Sequence, residues 1–170
     1  MATWKLLLKT TFVVVPVTIT FTDVVASFSK VIGVSMQPLL NPDCNRGQND
    51  WVLQNRLAAN QTLHRGDIIT FITPYDPKQL AVKRIVGVQG DIVRSKNKNK
   101  MTHIPVNYVW VEGDNSKYSH DSNSYGPVSR SLITAKATHV VWPPSRWQKL
   151  DSVEIASDRV LKHEQYALQL

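Results

Sequence analysis

Between Val31 and Lys149 no long stretch of this sequence keeps a helical period. Apolar residues come instead in short runs cut by glycine, proline and asparagine, which predicts a mainly β chain. Trp51 to Asn55 reads as a strand, and Asp67 to Ile72 reads as a stronger one launched from the turn at Arg65-Gly66. Thr73 to Lys78 reads as a connection, after which Leu80 to Val88 returns. Asp91 to Arg94, Tyr108 to Glu112 and Thr138 to Trp142 are further strands.

The returning strand carries a lysine among apolar neighbours. At period two, Lys83 shares a face with Ala81 and Ile85, and Arg84 shares the other with Val82 and Val86. Burial in such a setting lowers the pKa of a lysine, so that its amine can accept a proton near neutral pH. A serine hydroxyl needs such an acceptor before it can act as a nucleophile. Ser35, in Gly33-Val34-Ser35-Met36-Gln37-Pro38, is a candidate for that partnership. Taken singly, each residue is ordinary: most Ser-x-x-Pro strings are turns, and most lysines beside valines reach back to water along their stems.

Their ordered company is more specific. Ser35-Met36-Gln37-Pro38 is followed by Arg65-Gly66-Asp67-Ile68, by Lys83-Arg84-Ile85-Val86-Gly87 with Gly90-Asp91, by Gly113-Asp114-Asn115, and by Ser119-His120-Asp121-Ser122 with Tyr125-Gly126. From about Val31 to Pro144 this resembles the type I signal peptidase family, membrane-bound serine proteases with a Ser/Lys dyad. The resemblance implies a signal-peptidase/LexA-like β-ribbon catalytic fold with an N-terminal membrane-anchoring helix. It implies that Ser35 is the nucleophile and Lys83 its general base, without metal or cofactor. Met36 would line the floor beside the nucleophile, and Pro38 would fix its turn. Ser119 falls where the family has a hydroxyl that orients the lysine. Asp121 and Ser122 fall in the same supporting block, whose loop Gly113 and Asp114 open.

Two departures stand out. Gly33 replaces a serine whose hydroxyl commonly helps hold the oxyanion, and Asn123 replaces a frequent arginine, removing an ion pair with the neighbouring carboxylate. Signal peptidases of the endoplasmic reticulum resemble this family but place a histidine at the base position, so Lys83 favours the bacterial or organellar branch. The closing run Trp142-Pro143-Pro144-Ser145-Arg146-Trp147 is similar to the ending of the mitochondrial inner membrane branch. That implies an inner-membrane enzyme facing the intermembrane space, with a homologous catalytic subunit as partner and precursors carrying cleavable sorting signals as substrates.

The first thirty residues differ in composition from the rest. Thr10 to Thr22 is an uncharged block of about 20 Å if helical, short of the roughly 30 Å hydrocarbon core, with Pro16 at its middle. Snorkelling of Lys5 and Lys9, with Trp4 and Leu6 to Leu8 included, extends it to nearly enough, and Val24 to Phe28 is expected to continue the helix. Three readings compete for this segment: a membrane anchor, a cleaved targeting peptide and a buried core element. The resemblance implies an anchor, so positions 1–30 are read as a membrane anchor contacting the lipid bilayer, 31–149 as the catalytic domain and 150–170 as a polar tail, partly helical or disordered. Ser27-Phe28-Ser29-Lys30 matches a Ser-x-x-Lys pattern but lacks the Ser-Asp-Asn and Lys-Thr-Gly companions of that chemistry.

Twenty Lys and Arg against thirteen Asp and Glu give a charge of +7, too dispersed to mark a nucleic-acid surface. The run from Arg94 to Lys100 reads as a solvated hairpin loop. The single cysteine, Cys44, excludes an internal disulfide and reads as a bystander in a turn-rich loop. A Ser/His/Asp hydrolase built on His64, His120 or His139 would lack a Gly-x-Ser-x-Gly elbow. A non-catalytic scaffold for a second, active subunit is the alternative from another class, against which the intact Ser35/Lys83 pair argues.

Overall fold

A computed structural model describes residues 2–42, 47–96, 100–153, 155 and 159–161. The Cys44 reading and the tip of the Arg94–Lys100 loop lie outside the described residues. A helix, α1 (Ala2–Val24), leads into β1 (Ala26–Lys30), β2 (Trp51–Asn55), β3 (Ile68–Thr73), β4 (Asp76–Gly87), β5 (Ile92–Arg94), β6 (Met101–His103) and β7 (Tyr108–Glu112). A single helical turn, α2 (Ser122–Tyr125), precedes β8 (Val128–Ser129), β9 (Ile133–Trp142), β10 (Gln148–Lys149) and β11 (Val160–Leu161). The larger sheet runs β1-β2-β9-β3-β4-β7-β8 with β10 on β9, and a smaller one runs β11-β5-β6. All these pairings are antiparallel, so the chain is mainly β as its short apolar runs imply.

Strand β3 shows why the sheet holds. Ile68 joins a core with Val31, Met36, Leu40 and Val52, whereas Ile69 and Phe71 belong to a core with Ile85, Val111 and Ile133. Burial on both faces is what a near-continuous apolar run encodes. Strand β4 pairs with β7 only from Arg84 onward. Its earlier part, through Lys83, has β3 on one side and no strand on the other among the described residues.

Three expectations need correction. The helix stops at Val24 rather than running on to Phe28, because Ala26 to Lys30 pair residue by residue with Asn55 to Trp51 and cover the β2 edge. The connection after β3 is shorter than expected: Thr73 Oγ1 donates to the Asp76 carbonyl at 2.8 Å, closing a tight turn, and β4 starts at Asp76. The tail is not loose in its described part. Leu150 is buried and its N–H donates to the Thr138 carbonyl, Val160 is buried in a core with Trp110 and Val93, and Val160–Leu161 pairs with β5.

Along α1, Phe12, Val13, Val15, Val17, Ile19 and Phe21 are exposed. Among the described residues no helix is long and apolar enough to cross a membrane. The part of the expected span from Lys5 to Lys9 lies outside the residues whose side chains are described.

Candidate active site

Ser35 sits in the turn that follows β1, and that turn is fixed from behind. Met36 is buried in the core, and the Leu40 N–H donates to its carbonyl at 2.9 Å. Asn41, also buried, donates through Nδ2 to the carbonyls of Val31 and Gly33 at 2.8 and 3.0 Å. Asn41 and Asp50 exchange two backbone-to-side-chain bonds, and Arg146 grips Asp50 with two bonds of 2.9 Å. Gly33 has φ +98°, the left-handed region, so a serine placed there would be strained although open space surrounds it. The backbone explains this departure from the family pattern. The N–H of Ser35 has no acceptor among the described residues and is available to an oxyanion.

Lys83 Nζ lies 2.6 Å from Ser35 Oγ. The lysine is only 5% exposed, and burial pushes its pKa below the ordinary 10.5 against the opposing charges of Asp121 and Asp114. Neither carboxylate forms an ion pair with it among the described residues. A buried amine that contacts a hydroxyl rather than a carboxylate can exist unprotonated and take the serine's proton.

The third piece is the loop after β7. The Asn115 N–H donates to the Ser35 carbonyl at 3.0 Å, and its Nδ2 donates to the Val34 carbonyl at 3.1 Å. Gly113 packs so closely on the Ser35 carbonyl and Ser119 Oγ that no side chain would fit there. Asp114 receives two bonds from Arg84, at 2.8 and 2.7 Å. Buried Asp121 caps α2: it accepts from the Gly113 N–H at 3.0 Å, from the Ser119 hydroxyl at 2.6 Å, and from the N–H and Nδ2 of Asn123 at 3.1 and 2.9 Å. Asn123 thus supplies a neutral bond where an arginine would supply an ionic one. Ser122 Oγ accepts from the Val111 N–H at 3.0 Å and ties α2 to β7.

All five expected residues gather around one turn and one loop. Ser119 touches Asp121 and Gly113, and among the described residues it makes no hydrogen bond to Lys83. The three histidines do not serve Ser35: His64 is exposed 3.9 Å from Asp67, His120 meets Tyr75 and Tyr125 edge-on, and His139 Nδ1 is buried without a partner among the described residues. Asn41, Asp50, Arg84, Asn115 and Arg146 escaped the sequence reading as site supports. Their signal was present in part, since Arg84, Asn115 and Arg146 lie inside the runs that carry the resemblance. A cavity of about 400 Å³ opens beside the pair, lined among others by Ile32, Val82, Tyr75 and His120.

The same set of runs identifies relatives. Residues 4–102 and 95–142 match the family described as signal peptidase, peptidase S26. Mitochondrial inner membrane protease subunit 2 of Homo sapiens is 47% identical over 150 residues, covering 88% of this chain and 86% of that protein. The Mus musculus protein of the same name is 45% identical over 151 residues, with coverages of 88% and 86%. Mitochondrial inner membrane protease subunit 1 of Schizosaccharomyces pombe is 39% identical over 119 residues, covering 68% of this chain and 73% of that one. With the family's runs matched over most of its length, the chain belongs to the S26 signal peptidase family.

Proposed function

We propose that the chain is a membrane-bound serine endopeptidase that removes sorting peptides from proteins directed to the mitochondrial intermembrane space. Ser35 is its nucleophile and Lys83 its general base. The observation that carries this reading is the 2.6 Å approach of a buried lysine amine to a serine hydroxyl.

Ser35 Oγ attacks the scissile carbonyl while Lys83 Nζ accepts its proton. The Ser35 N–H stabilises the developing oxyanion. The protonated lysine then gives its proton to the leaving amine, and water, deprotonated in turn by Lys83, hydrolyses the acyl-enzyme. The edge of β4 ahead of Arg84, which no strand covers among the described residues, lies beside the cavity and suits an extended peptide adding as a strand. Ser119 acts on the loop that holds the Ser35 backbone rather than on the lysine, and Asp121 acts on that loop by hydrogen bonds and on Lys83 through its charge.

The relatives named for the mitochondrial inner membrane support that location, and the existence of subunits 1 and 2 supports a homologous partner. In this reading α1 is the membrane-associating segment, and its exposed apolar side chains contact lipid. The test compares wild type, Ser35→Ala and Lys83→Met in detergent with the partner subunit, on a peptide spanning a sorting-signal junction. Loss of cleavage in both, with folding and assembly intact, supports the dyad. Cleavage at the wild-type rate by both would assign the activity elsewhere and bring forward the scaffold reading.

A further inference from the structure

The strand edge offered to the peptide is held differently at its two ends. At Arg84 and Ile85 β4 is flanked on both sides, by β3 with its preceding turn and by β7. Toward its start the ladder slips: Ile72 faces Leu80 and Thr73 faces Asp76, so Pro77, Lys78 and Gln79 have no partner on β3. Residues 74–80 are all exposed, yet Gln79 and Leu80 line the cavity beside Ser35 and Lys83. A strand end with neither a ladder nor a core opens easily unless side chains fasten it.

Tyr75, in the turn before β4, supplies that fastening. Its ring meets His120 edge-on, with centroids 5.0 Å apart and planes at 69°, and its centroid lies 6.0 Å from that of Tyr125. His120 in turn meets Tyr125 at 5.3 Å and 71°. Such ring pairs are favourable beyond the area they bury. The site loop aims the histidine. Ser119 and Asp121 have extended backbones and both turn their side chains to the Gly113 N–H, so the residue between them projects to the other side, where His120 lines the cavity. Tyr125 backs it from α2. Its ring packs against the same core as Ala81, while its buried hydroxyl has no hydrogen-bond partner among the described residues, a cost that the ring packing offsets.

We propose that Tyr75 and His120 form a latch between the end of the β3–β4 hairpin and the loop that holds Ser35, and that both are positioning residues. They set the β4 edge at Gln79 and Leu80 where a precursor backbone adds to it, whatever side chains that precursor carries. The inference rests on the reading of Ser35 and Lys83 as the cutting pair, and its test separates the two.

The full-length chain is studied in detergent with its homologous subunit. Amide hydrogen exchange needs no substrate: in Tyr75→Ala the segment 76–82 should exchange about 5-fold faster, with β7 and β9 unchanged, which shows that the fold stands. On a junction peptide whose cutting is lost in Ser35→Ala, KM should rise about 4-fold in Tyr75→Ala. It should rise about 2-fold in His120→Ala, where the contact of Tyr75 with Tyr125 remains, and kcat should stay within about 2-fold of wild type in both. The double variant should match Tyr75→Ala, not the roughly 8-fold of independent contributions, because a latch once open has nothing more to lose. Tyr75→Phe and His120→Phe keep the rings and should restore both readouts. Unchanged exchange at 76–82, or Phe variants that behave like the Ala variants, overturns the latch. So does a double variant at the product of the single effects, which would mean two separate contacts with the peptide. Cutting that persists in Ser35→Ala while Tyr75→Ala still speeds exchange refutes the nucleophile and leaves the latch. Ser35-dependent cutting with exchange and KM unchanged in both Ala variants refutes the latch alone.

Discussion

Lys83 and Arg84 are consecutive on β4, both cationic by type and both buried, at 5% and 7% exposure. Their surroundings differ in one respect. Arg84 is met by the Asp114 carboxylate in two parallel bonds and donates a third to the Gly66 carbonyl. Lys83 meets a serine hydroxyl. A buried charge with a carboxylate partner stays charged, and one without a partner in contact is pushed toward neutrality. Two neighbouring residues can therefore hold opposite jobs on opposite faces of one strand: one fixes a loop, the other is free to move a proton.

The sharpest way to break this comparison is to remove the proton acceptor. Lys83→Met should lower kcat by about 1000-fold or more, with the melting temperature near wild type or raised, because a methionine of similar length fills the pocket without desolvating an amine. Lys83→Arg tests the same point with charge kept. Arginine cannot deprotonate, so activity should fall about as far although the cation is conserved. Cleavage by Lys83→Arg at roughly a tenth of the wild-type rate or better would show that charge, not basicity, is what the site uses.

The other half of the comparison predicts the reverse pattern. Arg84→Met leaves Asp114 without its partner and should destabilise the fold by about 2 kcal/mol, below the usual range for a fully buried pair because Asp114 keeps 21% exposure. The loop that binds the Ser35 carbonyl through Asn115 should loosen with it, lowering kcat about 10-fold. A chemical-denaturation midpoint equal to wild type would show that the pair contributes nothing.

Much of this division was legible before the fold was known. Alternation put Lys83 with Ala81 and Ile85, and Arg84 with Val82 and Val86, so two faces for two cations followed from the period of a strand. The resemblance carried by the short runs implied Ser35 as the nucleophile, and the fold brings its hydroxyl 2.6 Å from Lys83 Nζ. What could not be read were contacts made by single polar residues far apart in the chain. Asn41 with Asp50 and Arg146 forms a brace only after β9 returns, and nothing in Asn-Pro or in Ser-Arg-Trp announces it. Strand β1 was hidden because Ala26 to Lys30 continue an apolar helix without a glycine or proline to end it. The tail misled for a related reason: its composition is polar, yet Arg159 is spent on Glu112, 47 residues away.

The pH dependence sharpens the comparison further. Burial lowers the Lys83 pKa from 10.5, so at acid pH the amine is protonated and cannot accept the serine proton. Cleavage should rise with pH through that lowered value and level off above it. A rate unchanged from about pH 5 to about pH 9, with chemistry limiting, would contradict a lysine base.

The smallest expected effect concerns a second locked pair, at the last residue of β7, opposite Arg84. Burial alone would push the Glu112 carboxyl up, but hydrogen bonds from Arg159, Trp110 and Lys96 outweigh it and hold the pKa down at about 2, from an ordinary 4.5. A carboxyl whose folded pKa is depressed contributes stability that is fully present above the unfolded value and is lost as pH falls toward the folded one. Arg159→Met removes the largest of the three bonds, so the variant should lose about 1 kcal/mol at neutral pH and show a shallower loss of stability between about pH 4.5 and about pH 2 than wild type. Because Glu112 directly precedes Gly113, its release also tests how far the site loop depends on the tail. A kcat within about 2-fold of wild type, beside the expected loss of stability, would show that the clamp on Ser35 is set by Arg84 and Asp121 and not by the Glu112–Arg159 pair.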